Sequence, residues 1–204
     1  MMQYIPEIIT ALGVIILGYL QYNQHTKNKM TDLKVEQIKN EDLKRNKRRS
    51  DNSMLVFGEL WDLLYTMKAD RVYVVQPHPL GNEEMLSIYF EVKRRGVESM
   101  RPHIQNMKIC NVAKFSSDLV KKQFILITDI DKQVQDRYAR SIMAAHGCKK
   151  AVVVRLSDYK HDWVGSVFCE FTDDDENEMD EKVLQDILQK SAINIQYIIP
   201  EFSE

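Results

Sequence analysis

The chain has 204 residues, 44% of them hydrophobic and 28% charged, with a formal net charge of −2. That composition is globular and excludes a low-complexity or repeat architecture: the longest biased run is "DDDENE" and no internal period is visible. Three cysteines, Cys110, Cys148 and Cys169, are an odd number without C-x-x-C spacing, which argues against a disulfide framework and fits a reducing compartment.

The first predicted element is "YIPEIITALGVIILGYLQY", Tyr4 to Tyr22. As a helix it would be roughly 28 Å long, close to the roughly 30 Å of bilayer hydrocarbon. A secretory signal would carry basic residues before the apolar run, but the only charge before Ile8 is Glu7, so the segment reads as a permanent anchor. Its membrane residues are Tyr4, Ile8, Ile9, Leu12, Gly13, Val14, Ile15, Ile16, Leu17, Gly18, Tyr19, Leu20 and Tyr22, with the tyrosines toward the ends, where amphipathic rings favour headgroups. Residues 1–26 are therefore expected to be a transmembrane helix.

Between Lys27 and Arg49 nine basic residues face four acidic ones, a local balance of +5 that leaves −7 for the remainder. Positive charge beside a span is held on the cytoplasmic side, so the expectation is a single-pass protein of the inner (cell) membrane with its large C-terminal part in the cytoplasm. Lys27, Lys29, Lys44, Arg45, Lys47, Arg48 and Arg49 are candidates for contact with anionic lipid headgroups. No aromatic residues interleave these charges, so a nucleic-acid partner is not expected. Good helix formers without Gly or Pro from Met30 to Ser50 make residues 27–50 a helical stalk. Its ragged apolar stripe (Leu33, Val35, Ile38, Leu43) is compatible with a short tethered dimer. At "RRSDNS" either a new helix begins or the stalk helix runs on.

Residues 51–204 are one domain's worth of chain. Apolar residues at a three-to-four spacing predict a helix over "SMLVFGELWDLLYTMK". "RVYVVQ" and "MLSIYFEV" read as strands separated by the turn-forming "PHPLGNEE", and Lys93 to Gln123 carries no assignable pattern. "QFILITDI" is a strand and "DKQVQDRYARSIMAAHG" a helix closed by Gly147. "KKAVVVRLS" and "WVGSVFCEF" form a hairpin around "DYKHD", and "EMDEKVLQDILQKSAINIQYII" is a closing amphipathic helix.

That order, with "FILITDID", "HGCKKAVVVRLSD", "DWVGSVFCEF" and the final helix, resembles the second half of a GAF domain, and beside it the related PAS fold. Gly165 stands where that family commonly has a glycine. The resemblance spans about residues 52–199 and implies an α+β fold, an antiparallel sheet with helices packed on one face. It also implies a pocket over the sheet that takes cyclic nucleotides, haem, bilins or metabolites, or a domain that binds nothing and dimerises.

No cofactor is expected, because no ligand signature is recognisable. Cys110 is the thiol available to a bilin, and His103 and His146 are the histidines available to haem; inert thiol and surface or helix-end histidines are the simpler readings. Asp129 and Asp131 have the spacing of an acid pair but most simply end a strand and cap the next helix. Asp158, His161 and Asp162 share a polar loop that suits a solvated hairpin tip, and "TDDDENEMDE" lacks the glycine and ligand spacing of a calcium loop. No G-x-S-x-G, P-loop, H-E-x-x-H or dinucleotide turn occurs, so no enzyme is expected.

No output domain is expected after the closing helix, so action would run through the membrane segment, self-association or a recruited partner. Two functions follow from this plan. One is a non-enzymatic sensory or interaction module that forms a homodimer or higher homo-oligomer and binds a small ligand or protein at the membrane. The other is a lysis protein, since anchor plus GAF- or PAS-like domain is similar in plan to the T-even phage holins. In those the span oligomerises into lesions and the soluble domain sets timing.

Overall fold

The computed structural model describes residues 5–78, 85–173 and 180–199; side chains from Ile5 to Tyr22 and at several positions up to Arg49 lie outside the description. The chain divides into two units, Met1–Arg49 and Ser50–Glu204. Helix α1 (Ile5–Thr66) has no break at "RRSDNS". In the first unit Val35, Ile38 and Leu43 are exposed, as are Lys27, Lys29, Lys44 and Lys47; the side chains of Arg45, Arg48 and Arg49 are not described. Among the described residues no helix is long and apolar enough to cross a membrane. The thirteen expected anchor residues, Tyr4 to Tyr22, lie outside those whose side chains are described.

The second unit is built on a six-stranded antiparallel sheet in the order β3-β2-β1-β6-β5-β4. Its strands are β1 (Arg71–His78), β2 (Met85–Lys93), β3 (Met107–Lys108), β4 (Phe124–Ile127), β5 (Lys150–Ser157) and β6 (Trp163–Phe171). Helix α1 leads into the sheet. A 3₁₀ turn (Ile109–Val112), α2 (Ala113–Lys121), α3 (Ile130–Gln133) and α4 (Arg137–Ala145) lie between β3 and β5, and α5 (Glu181–Ile198) closes the unit.

Strands β1 and β6 are central, and their side chains alternate between two cores because successive residues point to opposite faces. On one face Val72, Val74, Val167 and Cys169 pack with Leu60, Leu63 and Leu64 of α1 and Leu184, Leu188 and Ile195 of α5. On the other Tyr73, Val75 and Phe168 pack with Met100, Ile104, Leu119, Ile130, Ala139 and Met143. The expectation of helices on one face is thereby corrected. The stretch without readable pattern, Lys93 to Gln123, supplies much of the second layer, where short elements bury scattered residues and leave no period.

A second correction concerns the helix expected from Asp131 to Gly147, which is two helices. Asp129 caps α3, its carboxylate accepting from the Lys132 N–H at 3.1 Å. The Asp136 carboxylate accepts from the backbone N–H of Phe115 in α2, so the chain leaves the helix between Val134 and Asp136 to meet a distant segment. Gly147 follows α4 with φ +72°, the left-handed conformation in which helices end.

Gly165 has a tighter reason. A Cβ there would stand 2.8 Å from the Val75 carbonyl oxygen and 3.1 Å from Gln76 Cγ. Val75 pairs in register with Ser166, so this backbone contact is fixed by the β1–β6 ladder and only glycine fits.

Candidate ligand cavity and the buried network beside it

The second core layer frames a partly open cavity of about 40 Å³. Tyr73, Val75 and Phe168 form its sheet side, Met100, Ile104 and Met107 come from the chain after β2, Phe115 and Leu119 from α2, and Ile142 and Met143 from α4. A water needs about 10–15 Å³ of such space and several polar partners, and the nearly all-apolar lining does not offer those partners. The ring of Tyr73 stacks on Phe168 with centroids 5.0 Å apart and planes 7° from parallel.

The hydroxyl of Tyr73 is committed elsewhere: it donates to Glu170 Oε1 at 2.5 Å. Arg71 donates to Glu170 Oε2 through Nε at 2.9 Å and again through Nη2. Its Nη1 donates to the Glu98 carbonyl at 2.6 Å. Arg71 and Glu170 are fully buried, and they stand opposite each other in the β1–β6 register, on the same face as Tyr73 and Phe168. Burial opposes the charge of Arg71, but Glu170 and Tyr73 together outweigh it and hold the guanidinium above its ordinary range. Burial first and Glu170 second push the Tyr73 phenol well up, so it stays a donor. The same two causes, in the same order, push up the Cys148 and Cys169 thiols. These buried cysteines are inert as nucleophiles.

Of the residues singled out in the sequence, Cys110 is exposed on the 3₁₀ turn and does not line the cavity. Asp129 is engaged by Lys132, whose ammonium lies 2.7 Å away, and forms no acid pair with Asp131. Asp158 accepts from the N–H groups of Lys160 and Asp162, both at 2.8 Å, and ties off the hairpin tip that carries His161. Thr172 donates to Asp70, while Asp174 to Met179 of the acidic run lie outside the described residues.

His103 and His146, considered singly as haem ligands, are brought together with ring centroids 4.1 Å apart. That gap leaves no room for a porphyrin plane between them. Glu98 Oε1 lies 3.9 Å from Nε2 of each.

The Arg71–Tyr73–Glu170 network was not singled out from the sequence. Its signal was present as a charged residue placed on the inward face of each central apolar strand, in "RVYVV" and "FCEF". The cavity walls between Met100 and Leu119 carried no such signal.

No family model and no curated relative matches the sequence. Solved structures with the same fold are GAF domains. The blue-light absorbing form of the Thermosynechococcus elongatus PixJ GAF domain is 12% identical with a TM-score of 0.57, over 74% of this chain and 88% of that one. The phycocyanobilin-bound GAF domain of a cyanobacterial phytochrome is 16% identical with a TM-score of 0.56, covering 72% and 85%. A far-red cyanobacteriochrome photoreceptor is 14% identical with a TM-score of 0.55, covering 80% and 96%. At these identities the likeness establishes a GAF-like fold.

Proposed function

We propose that this chain is a non-enzymatic, membrane-anchored sensory or interaction module of GAF-like fold that self-associates and takes a small apolar ligand or a protein partner at the membrane. The observation that carries the reading is a stripe of exposed large apolar side chains on the two terminal helices of the second unit. On α1 it comprises Met54, Phe57, Trp61 and Tyr65, at helical spacing, and on α5 Ile193 and Tyr197. The helices are neighbours, with Asn194 Nδ2 donating to Glu59 Oε1 at 2.9 Å. Trp61 stacks on Tyr65 at 5.8 Å, and tyrosine and tryptophan are the residues that interfaces favour. The occupant we assign is a second copy, pairing helix to helix.

A bilin, which the phytochrome neighbour holds, does not fit here: the cavity of about 40 Å³ is far smaller than the roughly 300–1,000 Å³ of sites for drug-sized molecules. Cys110 does not line it either.

The test is sedimentation of the full chain in mild detergent, beside a Trp61→Glu/Tyr65→Glu variant. A dimer that the variant reduces to a monomer supports the reading; a monomeric parent chain overturns it. Anchoring is tested separately by carbonate extraction of membranes, from which an anchored chain is not released.

A further inference from the structure

Among the described residues one group of potential metal ligands converges, Glu98, His103 and His146, with the donor atoms all within 4.8 Å of one another. We propose that these three side chains bind a divalent transition ion of the Zn²⁺ class and that the bound ion ties two walls of the apolar cavity together. This rests on the cluster's geometry and is independent of the membrane anchor and of self-association.

The donor set selects the ion. Two imidazoles and one carboxylate suit zinc, copper or nickel, whereas calcium and magnesium prefer oxygen. Three protein ligands leave an open position, and tetrahedral zinc at about 2.0–2.2 Å from each ligand requires donors about 3.4 Å apart. Both Glu98-to-histidine distances are 3.9 Å and all three donor atoms lie within 4.8 Å of one another, so the exposed Glu98 and His103 side chains must swing in by roughly 0.5–1.4 Å to reach that spacing.

One ligand is fixed and two adjust. The His146 side chain is 8% exposed, and its Nδ1 lies 2.8 Å from the Ile142 carbonyl. A proton on Nδ1 satisfies that carbonyl and leaves Nε2 as the free lone pair toward Glu98, the arrangement that orients metal-binding histidines. Glu98 and His103 are 65% and 43% exposed and free to swing. Their backbone is held. Arg71 donates to the Glu98 carbonyl, Ser99 and the Met100 N–H donate to the Glu91 carboxylate, and the His103 N–H donates to the Met100 carbonyl at 3.0 Å.

The placement gives the ion a structural consequence. Met100 and Ile104, flanking His103, line the cavity, and so do Ile142 and Met143, just before His146. An ion bridging His103 and His146 therefore pins the chain after β2 to the end of α4.

The experiment uses the full chain, stripped of metal and carrying Cys110→Ser so that the exposed thiol does not compete. Zn²⁺ alone is titrated against a chromophoric chelator, with melting followed in parallel. We expect one equivalent bound, a melting temperature that rises with Zn²⁺ by mass action, and at least about tenfold weaker binding in His103→Ala and in His146→Ala. His161→Ala, on the exposed hairpin, should bind as the parent does. His103→Ala and Glu98→Gln alter exposed side chains, so they decide the matter if His146→Ala fails to fold. Absence of Zn²⁺ uptake by the parent chain, or unchanged affinity in His103→Ala, overturns the proposal.

Discussion

At Glu170 a carboxylate with no solvent exposure depends on two donors, Arg71 and Tyr73, both buried with it. Removing one partner of such a pair leaves an uncompensated charge in the interior, so Arg71→Met should lower stability in urea unfolding by about 3–5 kcal/mol. Replacing both, as Arg71→Met/Glu170→Leu, should recover much of that loss; a double variant as unstable as the single would mean that the guanidinium's bond to the Glu98 carbonyl matters more than the ion pair. Buried protons add a pH dependence. Cys148 and Cys169 are raised from 9.0 and Tyr73 from 10.0, each chiefly by burial and next by Glu170. The folded chain therefore holds these protons more tightly than the unfolded one, and their contribution is intact below pH 9 and declines as pH rises beyond it. Each group adds a slope of about 1.4 kcal/mol per pH unit, so unfolding curves between pH 8 and pH 11 should steepen in steps, and Cys169→Ala should flatten them by one group's share. Gly165→Ala should cost about 1–3 kcal/mol in the same assay, because its Cβ would meet the Val75 carbonyl oxygen at 2.8 Å.

Elements that bury a whole face were readable; those shaped by distant partners were not. The strands from Arg71, Met85, Lys150 and Trp163 and the closing helix carry their own period, and Gly147 and Gly165 their own punctuation. The break between α3 and α4 is different: nothing between Asp131 and Ala145 announces it, because it follows from Asp136 binding the N–H of a residue 21 positions earlier. Asp136→Ala should loosen α2 from that break without unfolding the sheet. Amide exchange at Phe115 should accelerate while β1 and β6 stay protected, and unchanged protection at Phe115 would refute the assigned role. The cavity was invisible for a related reason, since the walls facing the sheet come from the chain between Met100 and Met143, through segments too short to show a repeat. His103 and His146 were each noticed, but their meeting is a product of the fold and of no spacing in the chain.

At the scale of the molecule, thiol exposure offers a test of the proposed anchoring and its orientation. Among the three cysteines Cys110 alone is exposed, while Cys148 and Cys169 are buried. A membrane-impermeant maleimide should therefore label native protein at one site after lysis, and Cys110→Ser should abolish the signal. In intact cells, protection of Cys110 places the GAF-like unit in the cytoplasm, as the basic flank of the N-terminal segment predicts. Labelling there would reverse that orientation and turn attention to the lysis reading.

The pairing of β1 with β6 has one more consequence. Arg71 and Glu170 are 99 positions apart, so for the roughly 5–20 s that synthesis takes to bridge them the nascent chain carries β1 with one edge unpaired. "VYVV" is apolar and β-branched, the kind of segment that associates with its own copies when left open. Slower growth at lower temperature, or a chaperone on the emerging chain, should therefore raise the soluble yield more than any change at the finished surface.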